Sequence, residues 1–294
     1  MNIQQGNAKM MELAAALLRA EQPFCSVDEL KAFSQECGLS LPESYAYLAA
    51  AAAGLDQEND PDQREFFEYW VKPSFRLSDV KRYEEDPYYK AVPFQGETRG
   101  RWCYARETIL PGELFVEGDM LLTNAGRVLP QLAFFTEKYT FPAVFENGRD
   151  WMSLAPNETV TLQKPIAEAY GRVLTYGLGL GYYAFMTARK KEVSSVTVVE
   201  REQKAIDLFN EYLLPYFTNP EKIVVIREDA LQYAERLKKN EYDCVFADIW
   251  RDAGDGMELY QTLKKKEKNA PGTHFSYWIE KSMDLYLDAT LWPQ

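Results

Sequence analysis

Four short runs rich in Val and Ile, at residues 173–176, 196–200, 222–226 and 244–249, alternate with segments of helical apolar spacing at 182–190, 203–212, 230–237 and 256–266. Residues 274–279 offer a fifth run, with a further helical segment at 280–286 behind it. Strands joined through helices in this way need crossover connections, and crossovers build a parallel sheet. The runs are continuous rather than alternating, as strands covered on both faces are. The expected fold class is therefore α/β, a doubly wound, mainly parallel sheet over residues 157–294.

Two different regions precede it. Residues 1–62 read as helical, with helices expected at 9–21, 27–37 and 42–54. Ser26 with Glu29 and Ser40 with Glu43 fit the capping-box pattern ahead of the second and third. Residues 56–62, DQENDPD, form a polar break. Residues 63–156 are dense in aromatics, Pro and Gly, and read as a small β-rich region. Strands are expected at 98–104, 114–117, 120–122 and 143–145, with turns at Pro111-Gly112 and Asn147-Gly148. Asn-Gly between residues 143–146 and 149–154 is a two-residue hairpin signal.

Composition narrows the function. The 294 residues are 46% hydrophobic and 27% charged, ordinary for a globular chain. The net charge is −12, with −9 falling on residues 1–150 and −3 on residues 151–294. So acidic a chain disfavours nucleic acid as a partner. The longest apolar run, residues 46–55, is half of what a membrane span needs, ~20 residues, and no signal peptide is evident. Cys25, Cys37, Cys103 and Cys244 lack metal-site spacing and read as the reduced thiols of a cytoplasmic protein. No metal is expected.

The segment most informative about chemistry is Val173-Leu-Thr-Tyr-Gly177-Leu-Gly179-Leu-Gly181-Tyr182, which joins the first run to its helix. Glycine there permits positive φ and a close approach of ligand to backbone. In an open parallel sheet this turn lies in the ligand-binding crevice. The dinucleotide fingerprint is G-x-G-x-x-G. Here position 182 is Tyr and the pattern is G-x-G-x-G, a departure from the nicotinamide signature.

With three acids that follow in order, this segment resembles the class I (Rossmann-like) S-adenosylmethionine (SAM)-dependent methyltransferases. The resemblance covers residues 157–280. It implies that Gly177, Gly179 and Gly181 wrap the amino-acid part of the cofactor, that Glu200 holds the ribose hydroxyls, and that Asp229 accepts from the adenine amino group. Asp248, ending the fourth strand, would stand beside the transferred group. Tyr176, Arg201 and Ala230, flanking these landmarks, complete the expected cofactor set. Taken singly, Glu200 and Asp229 also suit plain helix N-termini.

The layout is similar to the spermidine synthase branch, where a small β region and hairpin precede the nucleotide fold. That resemblance implies an acid working on an amine, and Asp248 with Asp252 are the catalytic candidates. Decarboxylated SAM is then the alternative cofactor. Residues 245–252 also resemble the stretch of catechol O-methyltransferase whose first acid binds magnesium, but no acidic pair follows the fifth run to complete such a site. Residues 248–251 read Asp-Ile-Trp-Arg, without the Pro-Pro-Tyr run of base methylation. The Asp-x-x-Asp-Pro run of the aminopropyltransferases is missing too. Tyr182 and Trp250 flank the pocket and are expected to meet substrate. His274, the sole histidine, opens the fifth run, at the end away from the crevice. The family's sheet has seven strands, so the last two are expected to be absent or replaced. That would leave an open edge for the N-terminal region, or the second subunit of a homodimer, to cover.

The expected function is SAM-dependent methyl transfer to a small molecule. The alternatives are spermidine synthase-like aminopropyl transfer and a non-catalytic nucleotide-binding or scaffold protein that keeps the fold.

Overall fold

The computed structural model describes residues 1–293 apart from 21, 22, 24 and 95. The chain divides into two compact units, each discontinuous in sequence: 1–82, 108–140 and 281–294 in the first, 83–107 and 141–280 in the second. The sequence reading laid out three consecutive stretches instead, 1–62, 63–156 and 157–294.

The first unit is helical at its start. Its helices are Ile3–Leu18, Val27–Cys37 and Leu41–Ala52. The first begins earlier than the spacing suggests, and the expected end at residue 21 lies outside the described residues. Both capping boxes form: Ser26 and Ser40 accept the Glu29 and Glu43 backbone N–H groups, and each glutamate reaches back to its serine. The Ser40 hydroxyl and backbone N–H, with Lys72 beside them, hold the Glu43 carboxyl down at about 2. Phe66, Phe67, Trp70 and Val71, on a helix that loosens into a π-turn, bury themselves against Met10, Leu30, Tyr45 and Ala49. Phe75–Leu77, Leu114–Leu122 and Val128–Phe134 form a three-stranded sheet with the last in the centre. Strands were expected at 114–117 and 120–122; one irregular strand runs through both, with register shifts around Gly118.

The second unit holds the parallel sheet. Its strands are β1 (Gly171–Tyr176), β2 (Val193–Glu200), β3 (Ile223–Arg227), β4 (Cys244–Ala247) and β5 (His274–Tyr277). All are parallel, in the order 3-2-1-4-5. The helices between them are α1 (Tyr182–Ala188), α2 (Gln203–Leu208), α3 (Ala230–Arg236) and α4 (Ala253–Lys266). Every residue of β4 is buried, as a doubly covered strand requires. On one face Tyr183 of α1 stacks on Phe246 at 4.3 Å. On the other, Ala234 of α3, Leu237 just after it and Leu263 of α4 surround Tyr176, Val245 and Tyr277. The sheet is thus doubly wound, and β1 and β4 occupy its centre. It has five strands among the described residues.

A second, four-stranded sheet contains Thr98–Arg99, Trp102–Ile109, Tyr139–Glu146 and Arg149–Ser153. Its last two strands form the Asn-Gly hairpin, with both turn residues at positive φ, 52° and 74°. Those values suit the primed turns that match strand twist. No described helix is long and apolar enough to cross a membrane. The four cysteines are free.

Candidate functional site

The turn from β1 to α1 is built on three glycines in the left-handed region, with φ of 94°, 51° and 73° at Gly177, Gly179 and Gly181. Each has a neighbour where a side chain would go. A methyl group at Gly177 would overlap the Asp248 carbonyl, and one at Gly181 the Phe209 ring. One at Gly179 would overlap the Met152 thioether. Conformation and close approach therefore both require glycine at these positions.

Glu200, at the end of β2, is buried and braces this turn. Its Oε2 accepts the Leu178 N–H at 3.2 Å, and its Oε1 the Glu202 N–H at 2.8 Å. Burial raises its carboxyl above the usual range, against the pull of the backbone donors. The end of β3 is tied to the same point, since the Glu228 N–H donates to the Glu200 carbonyl at 3.0 Å. Arg201, which follows, is exposed.

Asp229 caps α3, whose first residue is Ala230. Its Oδ1 accepts the Leu231 and Gln232 N–H groups at 2.9 and 3.0 Å. Asp248 follows β4, and its N–H donates to the Tyr176 carbonyl at 2.9 Å, so its backbone adjoins the glycine turn. Desolvation pushes its carboxyl up to about 7. The sheet order thus gathers the carboxyl ends of β2, β1 and β4 side by side, with Glu200 and Asp248 flanking the glycines.

The other expected site residues make contacts of their own within the fold. The Tyr176 side chain is buried edge-on to Tyr233, and its hydroxyl has no hydrogen-bond partner among the described residues. Asp252 caps α4 in a capping box with Asp255, its Oδ1 taken by the Gly254 and Asp255 N–H groups. Trp250 is buried beside Tyr260 and Tyr277, and its indole N–H finds no acceptor among the described residues. Tyr182 is buried as well, and its hydroxyl donates to Asp86 at 2.8 Å. His274, exposed at the amino end of β5, pairs with Glu168 at 3.3 Å. Among the described residues, no group of three or more His, Cys, Asp or Glu side chains gathers to hold a metal.

Two contacts on the turn have no local signal in the sequence. The Tyr88 hydroxyl donates to the Leu180 carbonyl at 2.5 Å, from the centre of an aromatic cluster with Phe94, Tyr182, Phe185 and Phe217. Met152 arrives from the hairpin, next to Trp151, whose ring stands edge-on to Trp102 at 4.7 Å.

The two carboxylates leave acceptor oxygens that fit the hydroxyls and amino group of an adenosyl ligand. Glu200 gives one N–H acceptance from each oxygen and keeps lone pairs for hydroxyl donors. Asp229 uses one oxygen for its cap and keeps the other.

No protein-family model matches the chain, and no curated protein matches it. Solved structures share part of it. A spermidine synthase in complex with a transition-state analogue is 16% identical, over 53% of this chain and 63% of that one, with a TM-score of 0.38. The spermidine synthase of Thermotoga maritima is 15% identical, over 50% and 53%, with a TM-score of 0.36. Precorrin-8W decarboxylase of Methanobacterium thermoautotrophicum is 19% identical, over 41% and 62%, with a TM-score of 0.32. The chain therefore spans between 53 and 63% of the length of these three. Likeness at this identity is one of fold. By its strand order and its glycine turn, the second unit is a doubly wound, Rossmann-like parallel sheet.

Proposed function

We propose that the chain is a SAM-dependent transferase that methylates a small molecule. One observation carries this reading: Glu200, Asp229 and Asp248 stand at the carboxyl ends of β2, β3 and β4, around a three-glycine turn that ends β1. A nicotinamide enzyme calls for the glycines and the acid after β2, but not for the acid after β3. The net charge of −12 supports a small acceptor over a nucleic acid.

SAM, when bound, supplies an activated methyl group, so positioning contributes much of the rate. The chain's own part is to hold and to take a proton. Glu200 would accept from the ribose hydroxyls and Asp229 from the adenine amino group. Asp248, with its carboxyl near 7, suits taking the proton that an acceptor amine or hydroxyl gives up.

The hairpin ahead of β1 supports a second reading, transfer of the aminopropyl arm of decarboxylated SAM to an amine. Calorimetric titration of the whole chain with SAM, decarboxylated SAM, S-adenosylhomocysteine and NADH decides between them. SAM or its demethylated product binding best supports methyl transfer, and a preference for the decarboxylated form supports aminopropyl transfer. Binding of NADH alone, or of none of the four, rejects both.

A further inference from the structure

Of the three side-chain positions that the glycine turn leaves free, two are filled by fixed frame: a strand-end carbonyl at Gly177 and a core ring at Gly181. The third, at Gly179, is filled by the Sδ and Cε of Met152. This is the flexible end of an unbranched side chain, on the hairpin strand Arg149–Ser153 outside the parallel sheet. Met152 is only partly buried, so nothing locks it in place from every side. In this fold a ligand approaches the turn through the space that glycine leaves open. A ligand and the thioether cannot share that space. Three rotatable bonds let methionine leave it without disturbing the strand.

We propose that Met152 is a gate on the glycine turn: its thioether closes the space over Gly179 in the free chain and swings aside when an adenosyl ligand enters. This inference rests on the reading that the turn receives such a ligand. A gate of this kind divides the intrinsic affinity by the fraction of time the site is open. Shortening the side chain removes that penalty. The gain falls on association, because the bound complex already has the gate open.

The test is stopped-flow binding of S-adenosylhomocysteine to the full chain, followed by tryptophan fluorescence, with Trp151 next to the gate. Wild type is compared with Met152→Ala, Met152→Val and Met152→Leu. If the gate stands open about a tenth of the time, the Ala and Val variants bind roughly tenfold tighter. Their association rate constants rise by that factor, dissociation stays within about twofold, and the Leu variant, of equal bulk, behaves as wild type. The Val variant carries the same test should the Ala variant fail to fold. If wild type binds and neither short variant binds tighter, or the gain lies in dissociation, the gate is wrong and the adenosyl reading stands. If no variant binds the nucleoside, both fall.

Discussion

Glu200 clamps Leu178: a carboxylate at the end of β2 accepts the N–H of the residue between the first two glycines of the turn, 3.2 Å away. Its other oxygen takes the Glu202 N–H. Glu200→Ala leaves both donors without their acceptor, which costs about 2–6 kcal/mol of stability at about 1–3 kcal/mol per unsatisfied group. Titration with S-adenosylhomocysteine should show at least a tenfold loss of affinity in the same variant. Unchanged affinity would mean that the ribose is not held at Glu200.

On the proposed function, Asp248 makes the transfer pH-dependent. Its carboxyl titrates at about 7 because of desolvation. As a proton acceptor it works only when ionised, so kcat/KM should rise as pH increases through 7 and level off above it. The same shift acts on stability with the opposite sense. A carboxyl raised on folding favours the folded state at low pH, and that advantage is lost as pH climbs from about 4 to 7. Asp248→Asn should therefore raise Tm at pH 8, with the difference from wild type vanishing near pH 4. Turnover should disappear in this variant while adenosyl binding persists. A pH profile flat from 6 to 8 in the wild type would remove Asp248 from the chemistry.

Asp252 can be separated from Asp248 by the cap it makes. Serine caps a helix nearly as well as aspartate, whereas alanine costs ~1 kcal/mol. Asp252→Ser should thus keep both stability and turnover, and Asp252→Ala should lower Tm by a few degrees. A serine variant that folds normally but has lost turnover would show that the carboxylate itself meets the acceptor.

The parallel sheet was legible because its strands are buried on both faces and its helices keep a 3.6-residue period, so each element announces itself locally. The capping boxes and the Asn-Gly hairpin were legible for the same reason. The three-stranded sheet of the first unit was not. Its central strand contains Pro130, a residue that argues against a central strand, and the partner slips register around Gly118 where that proline falls. What looked like two short strands is one strand interrupted by that irregularity. At the site, the acids were visible as strand-end residues, but their burdens were not. That Tyr176 packs against Tyr233 and that Met152 covers Gly179 depend on contacts between distant parts of the chain, whereas the Asp252 cap is local, made with Gly254 and Asp255. No spacing rule reports the distant contacts. The discontinuity of the two units is hidden likewise, since it arises from strands that pair far along the sequence.

Asn7 holds the first unit together at one buried point. Its Oδ1 accepts the Trp70 indole N–H and the Val128 N–H, each at 2.9 Å. Its Nδ2 donates to the Gly126 and Leu291 carbonyls at 3.2 and 2.9 Å. One fully buried amide thereby satisfies a helix, the central sheet strand and the C-terminal segment. The Trp70 ring also lies where a side chain at Gly6 would go, so Gly6 lets the helix approach the indole closely. Asn7→Ala strands two donors and two acceptors in the core and should cost about 3–5 kcal/mol, given 1–3 kcal/mol for each unsatisfied group and partial relaxation. Asn7→Asp keeps the acceptor and, while protonated, one O–H donor, so it should fall between alanine and wild type near pH 4 and lose that advantage as the carboxyl ionises against the Gly126 and Leu291 carbonyls. Denaturant unfolding of the three proteins at pH 4 and pH 7 measures both effects. A loss below ~1 kcal/mol in the alanine variant would show that the segments Asn7 joins are held by their apolar contacts alone.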